Sequence, residues 1–403
     1  MEIAPEQYRS AKIALSEGEN FLAYDLAAAI PDSPDGPSIK KQWIMALALA
    51  RSGSIQRATE LANSLPDVED IDIMGFKSRI YKDLALAECN LTRKRDLFLK
   101  AAQLSADIFK EKRSWYNGIN AAACLRMAGK IDESRYFVIH HVLPLCEAEP
   151  PKDMWLEATL GECHLLLSNF DEAAQHYSVA SEMALSSGSF GDFSSTLRQL
   201  QMLSTTFASN AADLWSRIDL PTICVFSGHR IDQPGIAAPR FPPSAEIIVH
   251  DQIKAAIKHH KIALGYASCA NGGDILFLES VLSSGGHVWV APPFPIEASI
   301  KMSVACDTGD WEKRLQTILT DPNTTVIDPE CDVTGENDEI AYDFTNRYIL
   351  GLARLKSKEL HLPMRGLAVW DGITPESTGN VSSAVRMWTE SNISYDTIKP
   401  EVQ

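Results

Sequence analysis

The sequence predicts two domains of different class: an α-solenoid of helical hairpins over residues 1–215, then a doubly wound parallel-sheet α/β domain over residues 222–398. Three observations lead there. Up to about Leu214, apolar residues recur at helical spacing in an Ala-, Leu-, Glu- and Lys-rich background, and proline stays almost wholly between segments, as at Pro31, Pro66 and Pro144. After Pro221, short β-branched runs alternate with helical ones, the pattern of a parallel sheet with helices on both faces. The length of 403 residues exceeds one ordinary domain, while 45% hydrophobic and 22% charged content match folded averages.

In the first half, turns are expected at Gly18, Gly53, around Thr92, at Gly129 and at Asn169. Their spacings of 35, about 39, about 37 and 40 residues lie close to the tetratricopeptide period of about 34. Residues 7–208 therefore read as five stacked hairpins. The clearest unit is WLEATLGECHLLLSNFDEAAQHYSVASEMA, residues 155–184. Trp155, Ala158, Leu165 and Leu166 form one apolar stripe, and Ala173, Tyr177 and Ala180 form the facing one. Such an array buries a continuous core and leaves a concave face suited to a protein or peptide partner, or to another domain of the same chain.

In the second half, six strands are expected in ICVFSGHR, KIALGYA, HVWVAPPF, TTVIDP, GLAVWDG and SYDTI. In a doubly wound sheet, ligands sit at the carboxyl ends of the strands, where amides and helix N-termini converge. Three ends stand out. At the first, Ser227 and Gly228 allow a tight turn and His229 and Arg230 emerge past the strand, with an arginine fork suited to phosphate or to an acidic neighbour in the loop. At the second, Asn271, Gly272, Gly273 and Asp274 precede a helix, so that a ligand can approach bare amides while Asp274 caps the helix or accepts a ribose hydroxyl. At the third, Asp371 and Gly372 end a strand and Ser377, Thr378, Gly379 and Asn380 open the next helix. Pro293, in WVAPPFP, is read as part of a stiff wall for a base or ribose.

Other features read more plainly. The eight cysteines never approach within 17 residues, which leaves no Cys or Cys/His metal spacing, and Cys124, Cys163 and Cys224 read as buried apolar groups. His259-His260 reads as a cationic helix end, and His140-His141 has no partner at metal spacing. The loop IDQPGIAAPRFPP (231–243) is a candidate lid, and DPECDVTGENDEIA (328–341) is expected at an exposed sheet edge.

The net charge is -16, shared equally by residues 1–220 and 221–403, which argues against nucleic acid. The local exception is residues 77–113, where ten basic residues meet five acidic ones; it reads as a solvated helix face or a dock for an acidic partner. No apolar run of about 18 residues offers a membrane span, and the start lacks signal-peptide order, so the expectation is a cytoplasmic protein.

Two resemblances follow from these residues. The segments 75–86, 114–130 and 155–167 resemble the helical TRAFs-binding region of apoptosis-signal-regulating mitogen-activated protein kinase kinase kinases, a region also found in bacterial proteins. That resemblance implies a signalling scaffold, although no kinase motif accompanies it. The order SGHR, ANGGD, then VWDG and TGN is similar to the SLOG superfamily of Rossmann-like nucleotide sensors and nucleotide-processing enzymes. It implies that Gly228, His229, Arg230, Gly272, Gly273, Asp274, Asp371, Gly372 and Gly379 line a pocket for a nucleotide or NAD-derived ligand. Hydrolases of that superfamily carry a PGGxGTxxE run, whereas STGNVSSAVR holds no acid. A sensor passing ligand state to a partner is therefore the first expectation. A hydrolase of a nucleotide or NAD-like substrate, using Asp274, Glu279 or Asp371, and a scaffold with a vestigial ligand domain are the alternatives; no catalytic residue and no metal is assigned.

Overall fold

A computed structural model describes residues 4–32, 38–65, 71–148, 153–207, 210–233, 235–236, 238–306, 309–327, 338–373 and 379–401. The chain divides into two compact units, Met1–Asp219 with Glu359–His361, and Leu220–Lys358 with Leu362–Gln403.

The first unit is helical: α1 (Ala4–Glu17), α2 (Asn20–Ala28), α3 (Ile39–Arg51), α4 (Ile55–Ser64), α5 (Ile71–Ala87), α6 (Leu91–Lys112), α7 (Trp115–Met127), α8 (Ile131–Phe137), α9 (Leu143–Ala148), α10 (Met154–Leu167), α11 (Phe170–Ser187), α12 (Phe190–Ser204) and α13 (Asn210–Arg217). The turns fall where the sequence places them, with two adjustments. Gly18, Gly53 and Gly129 follow α1, α3 and α7 with φ of 84°, 86° and 78°, a left-handed conformation that glycine adopts without a Cβ clash. The turn expected near Thr92 lies just before it, because Asn90 accepts a hydrogen bond from the Arg93 amide at 3.0 Å and starts α6. Past the five expected hairpins, Gly188, at φ 69°, leads from α11 into α12, a further helix inside the expected span of residues 7–208.

Small residues set the packing distance. In the α10–α11 hairpin, a Cβ on Gly161 would stand 3.1 Å from the Tyr177 ring, and Leu165, Leu166, Ala173, Tyr177 and Ala180 are all buried. At Gly191 a Cβ would stand 2.2 Å from the Leu15 carbonyl oxygen, so only glycine lets α12 meet the end of α1. This contact brings the last part of the array back to its first helix. Between α8 and α9 a π-helical turn, Val138–Val142, buries both valines, and its His141 ring lies 5.0 Å from that of Phe137.

The second unit contains a six-stranded parallel sheet: β1 (Thr222–Gly228), β2 (Ile262–Ala267), β3 (His287–Val290), β4 (Thr324–Val326), β5 (Met364–Val369) and β6 (Tyr395–Ile398), in the order β4-β3-β2-β1-β5-β6. All six expected strands are present. The intervening helices are α14 (Glu246–His259), α15 (Gly273–Ser283), α16 (Ile296–Ser299) with a π-helical continuation at Ile300–Val304, α17 (Trp311–Leu319), α18 (Asp338–Leu360) and α19 (Val381–Glu390). β1 is central and hidden on both faces, which its run of Ile223, Cys224, Val225 and Phe226 anticipates. Phe226 and Phe277 stack 4.4 Å apart in the core beneath α15.

Cys124, Cys163 and Cys224 are buried, and burial pushes all three thiols up, Cys124 to about 12. Among the described residues no group of three or more His, Cys, Asp or Glu is arranged to hold a metal, and no helix is long and apolar enough to cross a membrane.

Candidate functional site

The strand order reverses between β1 and β5, and Gly228 lies in register with Val369 at that switch point. Just beyond it, His229 Nε2 and Asp371 Oδ1 stand 3.0 Å apart. Burial is the largest influence on His229 and lowers its pKa, against the pull of Asp371, so the imidazole is neutral at pH 7. Burial alone would raise Asp371, but the Ile373 amide and His229 outweigh it and hold the carboxyl low. The pair is thus a neutral imidazole beside a carboxylate, joining two strand ends.

Arg230 is exposed, and its Nη1 donates to the Met302 carbonyl at 2.8 Å rather than to an acid. Among the described residues no acidic neighbour is paired with the rest of its fork. Asn271 is anchored to the same π-helical turn, its amide bonding Ser303 and its Nδ2 bonding Val304, while its buried Oδ1 has no partner.

The glycines and Asp274 have a structural duty here. Gly273 N donates to the His229 carbonyl at 3.0 Å, and a Cβ on either Gly228 or Gly273 would stand 2.8 Å from the other's Cα. Gly272 has φ 81°, and a Cβ there would stand 2.6 Å from the Ile231 amide nitrogen. Both oxygens of Asp274 are engaged, by the Gly228 amide at 3.1 Å and the Ala270 amide at 3.2 Å. Burial, only partly countered by those two amides, pushes this carboxyl up to about 7. The close approach that the Gly-Gly-Asp signal announces is therefore an approach of strand to helix, with Asp274 bridging two loops instead of capping its own helix.

The remaining expected residues are distributed more loosely. Ser227 is half-buried opposite Ala368, and Pro293 is buried beside Phe294, whose ring meets Tyr342 at 5.7 Å. Gly372 is exposed at φ 87°, with open space around it. Gly379, at φ 75°, lies against α18, where a Cβ would stand 2.6 Å from the Glu339 carbonyl oxygen. Thr378 and Ser377 lie outside the described residues, as does 328–337 of the acidic stretch. Asn380 caps α19 by accepting from the Ser383 amide at 3.0 Å. Glu279 is paired with Arg314, whose Nε and Nη2 both reach it. His260 bonds Asp396 at 2.5 Å. In the loop 231–243, Asp232 and Phe241 exchange hydrogen bonds of 2.8 and 2.6 Å, which pins both ends of the segment read as a lid.

A second site was not anticipated. Inside the helical unit is a cavity of about 650 Å³, walled by α1, α3, α5, α7, α10 and α12. Trp43, Phe76, Trp115, Tyr116 and Trp155 supply aromatic surface, and Lys12, Arg51, Arg79, Lys82 and Arg198 supply cations. Arg79 and Lys82 belong to the basic stretch read as a solvated face or an acidic dock, and they turn inward instead. Ion pairs tie α12 to the earlier helices: Arg51 to Asp192 at 3.0 Å, and Arg198 to Asp83. Lys82 Nζ donates to Asn120 at 2.6 Å and Gln199 at 2.9 Å, and burial lowers its pKa. Burial pushes Glu162 up to about 7, against the opposing bond from Gln199. The signal that could have found this wall is the charge of Arg79 and Lys82 on an otherwise apolar helix face; nothing in the periodicity joins them to residues more than a hundred positions away.

A family model described as Tetratricopeptide Repeats-Sensor matches residues 22–125, about a quarter of the chain. The match runs from α2 into α7 and includes three walls of the cavity. Among solved structures, a thermophilic tetratricopeptide repeat protein of Thermus thermophilus is similar over 49% of this chain and 97% of its own, at 17% identity and a TM-score of 0.38. Haemophilus influenzae LpoA is similar over 90% of this chain and 73% of its own, at 12% identity and a TM-score of 0.22. No curated protein matches the chain.

Proposed function

We propose that this protein is a cytoplasmic sensor whose α/β unit binds a nucleotide or nucleotide-derived ligand at the β1–β5 switch point and whose helical unit engages a protein partner. The observation that carries this reading is the His229–Asp371 pair, 3.0 Å apart across the point where the strand order reverses. Exposed Arg230 beside it offers a planar fork to phosphate. The sensor description of the repeat family and the likeness of the SGHR, ANGGD and VWDG segments to the SLOG superfamily support the same assignment. Because five amides around the glycines are already bonded within the protein, those of Gly228, Ala270, Asn271, Gly273 and Ile275, recognition falls mainly on side chains. Isothermal titration with mono-, di- and cyclic nucleotides and NAD derivatives checks the reading. The expected result is micromolar binding by one member, weakened at least tenfold by Arg230→Ala. Binding no better than millimolar across the panel, or an unaffected Arg230→Ala, overturns it.

Hydrolysis of such a ligand is the second reading, favoured by Asp274, whose carboxyl at about 7 holds a proton near neutrality. Release of base from nucleotides or NAD during overnight incubation, and its loss in Asp274→Asn, would establish it.

A further inference from the structure

We infer that the cavity inside the helical unit is a small-molecule site of its own, shaped for a phosphate monoester carried on a flat ring. The inference is independent of the strand-end reading, and every residue it uses lies between Lys12 and Met202.

The first argument is size and enclosure. A volume of about 650 Å³ falls within the range of small-ligand pockets. A peptide threading a helical-repeat groove needs two open ends. Here α12 is drawn onto the early helices by the Arg51–Asp192 and Arg198–Asp83 pairs, and by Gly191 against the end of α1. Leu86 and Tyr116, which line the cavity and are 38% and 39% exposed, leave a way in from solvent.

The second argument is unmet hydrogen bonding. Buried polar atoms are nearly always partnered, so an orphan within a cavity wall marks a place for a ligand. Three donors on these walls, Arg51 Nε, Trp43 Nε1 and Ser195 Oγ, have no hydrogen-bond partner, against one acceptor, Asp83 Oδ2. The Arg51 side chain is only 8% exposed, and its other two nitrogens are committed to the Leu15 carbonyl and Asp192. Three unmet donors against one unmet acceptor leave a surplus that an anion would meet.

The third argument is the balance of charge. Lys12, Arg51, Arg79, Lys82 and Arg198 face Asp83, Asp153, Asp192 and Glu162. Asp83 and Asp192 are paired with arginines, and Asp153 is occupied with the Leu156 amide at 2.8 Å. Burial pushes Glu162 up to about 7, and burial is also the largest influence lowering Lys82, whose ammonium donates to the amide oxygens of Asn120 and Gln199 instead of to a carboxylate. In a chain of net charge -16, this interior is a local surplus of positive charge. A dianionic phosphate would restore the balance, while the tryptophans offer faces on which a ring stacks.

The test uses the full chain, with AMP, adenosine and inorganic phosphate as probes, followed by tryptophan fluorescence and thermal melting. AMP is expected to quench the fluorescence and raise the melting temperature, with adenosine and phosphate each at least tenfold weaker. Arg79→Gln and Trp43→Phe should each weaken AMP at least tenfold, and Arg230→Ala should leave this event unchanged. Arg51→Gln touches a structural ion pair, so circular dichroism accompanies it and Arg79→Gln decides if it fails to fold. No quenching and no melting shift with millimolar AMP overturns the inference. So does AMP binding that survives both Arg79→Gln and Trp43→Phe; if that binding is lost in Arg230→Ala, the strand-end reading stands while this one falls.

Discussion

The two candidate sites are built from opposite materials. At the β1–β5 switch point the chemistry is mostly backbone: Gly273 bonds the His229 carbonyl, Asp274 spans the Gly228 and Ala270 amides, and Gly228 and Gly273 lie too close for either to carry a Cβ. In the helical cavity it is side chain: five cations, five aromatic rings and three orphaned donors from six helices. The first region is nearly satisfied by its own contacts, and the second is not. A glycine pair before a helix therefore reports that something comes close, and in this chain what comes close is another strand. Unmet donors are the sharper indicator of a ligand, because the protein leaves them unpaired at a cost of roughly 1–3 kcal/mol each.

The strongest test of that contrast is Gly273→Ala. If the Gly228–Gly273 contact is packing, a Cβ at 2.8 Å from backbone forces α15 off β1 and should cost about 3 kcal/mol, read as a lower urea midpoint. A variant of wild-type stability that has lost nucleotide binding would reverse the assignment and make the glycine a ligand contact.

Next in size is the pH response of Asp274. Its carboxyl titrates near 7 in the folded protein and near 3.9 in an unfolded chain, so between those values the native state holds the extra proton. The contribution is fully present below the unfolded value and is lost as pH rises through 7. Between pH 5.5 and 8 the stability of wild type relative to Asp274→Asn should fall by about 2 kcal/mol, since each pH unit below the folded value is worth about 1.36 kcal/mol. Denaturant midpoints of both proteins at each pH measure it. A difference that stays constant with pH would mean the carboxylate is better solvated than its burial implies, and that the strand-end region is open enough to accept a ligand.

How much of this could be read from the sequence follows the same divide. The strands were legible because β1 is flanked on both sides and must be apolar throughout, and the hairpin turns because Gly18, Gly53 and Gly129 take a conformation other residues resist. His229 and Asp371 could be placed at strand ends, yet their pairing depends on β5 returning beside β1, which strand spacing alone leaves open. The role of Asp274 was open for a related reason: helix capping and bridging use the same carboxylate, and only the position of β1 decides between them. The cavity was illegible, because periodicity tells which face of α5 is apolar but not that α12 lies opposite to receive Lys82 and Asp83. Local pattern encodes elements, and a site made where distant elements meet needs the tertiary fold.

The smallest effect offers the finest comparison, because one device occurs in both regions. Asn380 caps α19 through the Ser383 amide, and Asp153 caps α10 through the Leu156 amide at the cavity wall. A cap is worth what its amide gains, about 1 kcal/mol, whichever site lies nearby. Asn380→Ala and Asp153→Ala should therefore lose about the same stability in urea titrations. The Ser382 hydroxyl donates to Asn380 Oδ1 at 2.6 Å as well, so a loss twice as large at Asn380 alone would show that this residue organises more than one helix end. Equal losses would leave capping as its whole task, and would leave Arg230 as the group on which the proposed phosphate recognition rests.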